Sequence, residues 1–228
     1  MAFDTLFDTY TRLLLIDTET TGLDFARDEI IEFSAVALER VDGEVQTVLE
    51  YDRLVSLSPG GFVPPQIQQL TGISTEDIRQ RGLPKTRVCR DIAEMVAGNT
   101  LLLAYNAHFD LSFLFYMLLR DGDPTVLKGK DKLDLLTVYK DRHPYPHKLC
   151  SAIDVYGLSG TVVNSHRAID DVVATVAVMQ AMEAEKDDLS RYINLFGYNP
   201  KYGLGSKPIG SVTYKPQPYN PTRPLYEA

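Results

Sequence analysis

The chain has 228 residues, enough to bury the core of one domain, and a formal charge of −8 from 23 Lys and Arg against 31 Asp and Glu. That acidic balance argues against a protein that coats long duplex DNA by neutralising phosphates, though not against an enzyme that grips a few nucleotides through bound cations. No apolar run reaches the roughly 20 residues of a membrane helix, no basic segment precedes the first apolar run as in a secretory signal, and Cys89 and Cys150 fit reduced thiols of a cytoplasmic protein better than a disulfide framework.

Leu13-Leu14-Leu15-Ile16 reads as a strand buried on both faces, and it runs straight into Asp17-Thr18-Glu19-Thr20-Thr21-Gly22. Asp17 and Glu19 are two apart, so an extended chain points both carboxylates to one face. Adjacent carboxylates repel, and a cation relieves the repulsion. The pair is either a divalent-metal site at a strand end or two solvated acids entering a turn.

Ile30 to Leu38 reads as a second strand, and the Asp-Gly of Val41-Asp42-Gly43-Glu44 as a hairpin turn into a third strand over roughly Val45 to Val55. Pro59-Gly60-Gly61 and Pro64-Pro65 read as loop. Ser74 or Thr75 can cap a short helix, and a second helix runs from about Thr86 to Val96. Thr100 to Tyr105 is a short apolar strand. Asn106 then suits the N-cap, and Gly122 the stop, of a helix apolar nearly all round and so expected to be buried, with Asp110 in its first turn.

Lys128 to Lys148 is locally basic and reads as a solvated surface in preference to a phosphate track. His143 and His147 are four apart, but Pro144 and Pro146 preclude the helix that a zinc pair at this spacing needs. Ala168 to about Met182 is another apolar helix, and Asp187 to Phe196 reads as a short one. From Gly197 the texture changes: six of the 13 prolines and five tyrosines fall in this last stretch. The expected division is a domain over 1–196 and an extended tail over 197–228, packed along its own domain or docked on a partner.

Strands alternating with helices after a meander give an α/β fold with a mixed central sheet flanked by helices. Its strand ends bring together Asp17, Glu19, Asp110 and one acid of His166-Arg167-Ala168-Ile169-Asp170-Asp171. If the last helix already includes His166, Asp170 shares its face; if it starts near Ala168, either acid is available.

Asp17-Thr18-Glu19, Tyr105-Asn106-Ala107-His108-Phe109-Asp110 and His166-x-Ala168-x-x-Asp171 together resemble the three motifs of the DEDDh (DnaQ-like) exonucleases, the family of the proofreading epsilon subunit of bacterial DNA polymerase III. The resemblance covers roughly Leu13 to Met182 and implies an RNase H-like fold with 3′→5′ hydrolysis of nucleic acid one nucleotide at a time. It assigns the fourth acid to Asp171. It implies two divalent cations, Mg²⁺ or Mn²⁺, with Asp17 bridging them, Glu19 and Asp171 on one and Asp110 supporting the other, and His166 as general base. All-carboxylate ligation suits these hard ions, and two cations about 4 Å apart can clamp attacking and leaving oxygens. Thr20, Thr21 and Asn106 resemble positions near the 3′ terminus. Leu70-Thr71-Gly72-Ile73 is similar to a family segment that packs near the terminal nucleotide, with Leu70 and Ile73 either wedged against the last base or part of the core. Single-stranded ends are the expected form because the terminal base must be unpaired. Tyr105 departs from the His that many relatives carry before the Asn. DNA is the favoured polymer, with RNA trimming, or a non-catalytic module that holds a polymerase subunit through the tail, as alternatives. No membrane partner is expected.

Overall fold

A computed structural model describes residues 3–199, 209–220 and 222–228, so part of the expected tail, 200–208 and 221, lies outside the described residues. A short helix α1 (Asp4–Phe7) leads into β1 (Arg12–Thr20), β2 (Ile30–Val41) and β3 (Glu44–Leu54). Then follow α2 (Pro65–Thr71), α3 (Thr75–Arg81), α4 (Lys85–Met95), β4 (Thr100–Ala104), α5 (Ala107–Asp121), β5 (Lys132–Asp134), α6 (Leu135–Arg142), α7 (Leu149–Val155) and α8 (Ala168–Glu185). Two short strands, β6 (Leu195–Tyr198) and β7 (Thr213–Pro216), close the chain.

The central sheet has the order β3-β2-β1-β4-β5. The first three strands form the antiparallel meander, while β4 and β5 run parallel to β1. The hairpin between β2 and β3 turns on Asp42 at φ 51° and Gly43 at φ 85°, the pair of left-handed residues that a two-residue loop requires. Helices cover both faces, and period-two alternation sorts each strand between them. Leu13, Leu15, Val36, Leu38, Leu101 and Leu103 pack with Val138 of α6 and Val172 and Val178 of α8. Leu14, Ile16, Ala35, Ala37 and Leu102 pack with Ile92 of α4 and Leu111, Leu114 and Leu118 of α5. β1 is thus the middle of a three-layer α/β structure, which is why Leu13-Leu14-Leu15-Ile16 is uninterrupted apolar sequence.

Several local expectations are corrected. Pro64-Pro65 does not continue the loop but opens α2, because proline at the first helical position gives up an N–H that has no helical partner there. Ser74 caps α3 in a reciprocal capping box with Asp77. α5 is not buried all round: Phe115 and Leu119 are exposed. The segment 187–196 is not a helix of any length but a single 3-10 turn, Leu189–Tyr192, followed by β6. Asp188, held by Arg142 at 2.6 Å, and left-handed Asn194 break the helical run. The basic stretch is not all solvated either, since the Lys132 ammonium is buried and donates to the Lys130 carbonyl and Ser211 Oγ, both at 2.8 Å.

The described part of the last stretch lies against the domain. β7 pairs in parallel with β6. Tyr214 reaches His108 in α5, Gln217 Nε2 donates to the Thr137 carbonyl at 2.8 Å, and Leu225 is 3% exposed with its N–H on Asp141 at 2.7 Å. Leu225→Ala should therefore cost about 2–4 kcal/mol in urea unfolding, the range of buried leucine truncations. A change within about 0.5 kcal/mol, the ordinary surface range, would mean that this end contributes no core.

Candidate active site

The alternation that fills the core also places the acids. Asp17 and Glu19 continue the row of Leu13 and Leu15, on the α8 side of the sheet, whereas Thr18 continues the row of Leu14 and Ile16, on the α5 side. Asp171, in the first turn of α8, therefore meets Asp17 and Glu19: one oxygen from each of the three lies within 4.8 Å of the others. Thr18 meets α5, and its hydroxyl donates to Asp110 Oδ1 at 2.8 Å. Asp110 is outside the 4.8 Å trio, but its charge is the largest push on Asp17 after burial.

Four carboxylates in this space are held against their own chemistry. Burial raises Asp17 well above the carboxylate range, and Asp110, Asp171 and Glu19 add to it. Glu19 is pushed up to about 8, by burial first and then by Asp171 and Glu32. Burial lifts Asp110 to about 7 against the opposing hydrogen bond from Thr18, and Asp171 rises for the same reason against a hydrogen bond from Asn164 Nδ2 at 2.6 Å. An all-oxygen donor set with this much mutual repulsion fits a divalent cation.

The register of the last motif follows from where α8 starts. It begins at Ala168, with Arg167 as its extended N-cap, so His166 stands in the preceding loop, exposed and left-handed at φ 58°. Asp171 turns into the cluster, whereas Asp170 accepts from Ser165 Oγ. That start is fixed by a residue that sequence reasoning missed. Glu32 is fully buried on β2 directly opposite Glu19, accepts the Ala168 N–H at 2.8 Å and pairs with the Arg167 guanidinium through Nε and Nη2. Its signal was an acid inside the apolar run Ile30-Ile31-Glu32-Phe33. A bulge at the same point, where Glu19 pairs with Glu32 but Thr20 with Ile30, swings the chain out of the sheet.

Asn106 does not cap α5 with its side chain. It sits at φ 74°, a conformation that asparagine tolerates, and the first amides at this helix start are taken instead by Asp134 at the end of β5. Asp134 Oδ1 accepts from the N–H groups of Asn106 and Ala107, both at 3.0 Å, while Oδ2 accepts the Thr137 N–H and hydroxyl that start α6. This carboxylate was also missed, although Asp-x-x-Thr is a readable cap signature.

The expected substrate contacts are dispersed. Thr20 Oγ1 donates to the Gly22 carbonyl at 2.6 Å, and Thr21 Oγ1 donates to Asp28 Oδ1 at 3.1 Å, so both hydroxyls serve the loop after β1. A Cβ at Gly22 would sit 2.4 Å from Asp28 Oδ2, which explains the glycine. Ile73 is buried with Ile31, Leu54, Val63 and Ile78, whereas Leu70 is 49% exposed and Asn106 is exposed.

A family model described as "Exonuclease" (RNase_T) matches residues 14–179. The DNA polymerase III epsilon subunit of Treponema pallidum is 30% identical over 81% of this chain and 83% of its own length. The PolC-type DNA polymerase III of Clostridium perfringens is 32% identical over 73% of this chain, which spans only 11% of that polymerase. Escherichia coli exonuclease I, in a crystal structure with a dA16 oligonucleotide, superposes with a TM-score of 0.70 at 21% identity over 80% of this chain and 42% of its own. This likeness makes the fold an RNase H-like exonuclease fold. Among the described residues no helix is long and apolar enough to cross a membrane.

Two predictions follow from the electrostatics and the anchor. In the metal-free protein Asp17, Glu19 and Asp110 titrate above the ordinary carboxylate value of about 4 that they recover on unfolding. The folded chain then holds more protons than the unfolded one, and stability falls as pH rises from about 4 through about 8. Melting curves should show a stabilisation by Mg²⁺ or Mn²⁺ that is larger at about pH 8.5 than at about pH 5.5 and is lost in Asp17→Asn. An equal shift at both pH values would contradict the cluster. Glu32→Ala leaves Arg167 and the Ala168 N–H unpartnered; because Arg167 is 40% exposed, the expected loss is discounted to about 2 kcal/mol. The same variant should weaken the metal-induced shift, and wild-type values in both measurements would show that Glu32 does not fix α8.

Proposed function

As the chain belongs to the exonuclease family, we propose that it hydrolyses single-stranded DNA from the 3′ end to nucleoside 5′-monophosphates. The observation that carries this reading is the convergence of Asp17 and Glu19 from β1 with Asp171 from α8, beside Asp110 and within reach of one cation. In this reading Asp17, Glu19, Asp110 and Asp171 hold two divalent cations, Mg²⁺ or Mn²⁺. When bound, these ions offset the negative charge that builds on the phosphate during attack.

The chain's own groups do the rest. His166, exposed on the loop before α8, takes the proton of the attacking water. The water oxygen bonds to phosphorus, the bond from phosphorus to the 3′ oxygen breaks, and solvent returns a proton to that oxygen. Glu32 and Arg167 hold the helix start that sets His166 and Asp171 at their separation. In this reading exposed Leu70 and Asn106 touch the terminal nucleotide, Thr20 and Thr21 shape the loop after β1, and buried Ile73 supports the segment that carries Leu70. The polymerase III names of the relatives suggest proofreading or repair, with a polymerase as partner and the residues 197–228 as a further contact to it.

The test compares 3′-labelled and 5′-labelled single-stranded DNA and RNA in Mg²⁺ or Mn²⁺. Wild type should release the 3′ label at once as a mononucleotide and shorten the 5′-labelled strand through a ladder. Asp17→Ala, Asp171→Asn and His166→Ala should each lose at least about 10²-fold in rate, and Asp170→Asn should stay near wild type. No cleavage of either polymer would overturn the reading, RNA cleavage alone would change the polymer, and a dead Asp170→Asn beside an active Asp171→Asn would reverse the register.

A further inference from the structure

The connection between α6 and α7 carries a feature that neither the core nor the acid cluster uses. Tyr145, between Pro144 and Pro146, is 84% exposed, the most open tyrosine of the described residues, yet the loop around it is firmly tied. The Tyr105 hydroxyl donates to the His147 carbonyl at 2.9 Å. His147 Nε2 meets the His143 carbonyl at 3.0 Å, and the His143 ring stacks on buried Tyr139 with centroids 4.9 Å apart. The His147 ring in turn stands edge-on to Tyr145 at 5.7 Å. An aromatic face held open on an anchored loop has little freedom left to lose on stacking, and most of its surface is open in the free protein.

Its position is set by the sheet. β4 runs parallel to β1, so Tyr105, just past the end of β4, lies on the same sheet edge as Asp17 and Glu19, immediately before Asn106. Tyr105 thus ties the His147 end of the loop toward that edge, while its His143 end lies against Glu185 at 3.2 Å, at the far end of α8 from Asp171. Two cations accompany the loop. Lys140 is close enough to act on the His147 ring, Lys148 is exposed at the start of α7, and neither forms an ion pair among the described residues. In a chain of charge −8 with an acidic catalytic mouth, unpaired lysines beside an open ring are the kind of surface that draws in a phosphate backbone.

We propose that Tyr145 is a stacking platform for a base upstream of the 3′ terminus of a single strand, with Lys140 and Lys148 on the neighbouring phosphates. The occupant is single-stranded nucleic acid of either sugar, because a ring face recognises a base and not its ribose. The proposal rests on the exonuclease reading for its orientation, with the terminus at the acids and the upstream strand over the loop.

The test is equilibrium binding, which does not depend on turnover. Fluorescence anisotropy of a 5′-labelled oligothymidylate of about 12 nucleotides is followed in the Asp17→Asn background with Mg²⁺, adding Tyr145→Ala, Tyr145→Phe or Lys140→Ala with Lys148→Ala. Tyr145→Ala should weaken binding about tenfold, Tyr145→Phe should bind like the parent, and the lysine pair should flatten the slope of log Kd against log salt by about 1. The melting temperature of Tyr145→Ala should be unchanged, because the side chain packs in no cluster. Binding of Tyr145→Ala within about twofold of the parent, or a Phe variant as weak as the Ala variant, would overturn the platform. Tyr145-dependent binding in a chain whose wild type cleaves nothing would uphold the platform and overturn only the catalytic reading.

Discussion

A strand covered by helices on both faces has nowhere to put a charge except at its end, and this constraint organises the whole molecule. β1 is such a strand. Its alternate residues feed two separate cores for as long as they are leucine and isoleucine. When the sequence turns to Asp17-Thr18-Glu19, the same alternation delivers two carboxylates to one helix and a hydroxyl to the other. The helices answer in kind, α8 with Asp171 and α5 with Asp110. The acid cluster is therefore a continuation of the core by other residues, and its geometry inherits the rigidity of the packing beneath it.

Holding like charges together needs compensation nearby, and the chain supplies it in a second layer. Glu32 adds another negative charge, directly across from Glu19, yet it is neutralised by Arg167 and by the first amide of α8. A buried pair of this kind adds little net stability, since desolvation offsets most of its attraction. Its value is positional: it decides on which residue α8 begins, and with that which of two adjacent aspartates faces the cluster. Asp134 does the same for α5 and α6, one carboxylate receiving the amides at the start of two helices.

The pattern of what could be read from sequence follows from this division. Asp17 and Glu19 are legible because their spacing and the apolar run before them are local. The meander, the turn at Asp42-Gly43 and the boundaries of α4, α5 and α8 are legible for the same reason. Spacing alone does not say whether Asp170 or Asp171 joins the site, because that depends on Glu32, 135 residues before Arg167; the resemblance of the motif supplied Asp171. The failed cap at Asn106 has the same origin: its role passed to Asp134, on another strand. Pro64-Pro65 was misread because proline breaks a helix and also begins one, and only the chain around it tells which. Lys132 looked solvated in a basic stretch, yet the segment around Ser211 folds over it and supplies its oxygen partners.

The left-handed backbone at His166 carries a consequence of its own. Most residues with a Cβ are strained there by roughly 1 kcal/mol, and glycine is not. The conformation that brings the imidazole out of the loop is one that the imidazole's own backbone disfavours. At this position backbone relief and the proposed proton transfer therefore pull apart: a change to glycine would remove the strain and the imidazole together.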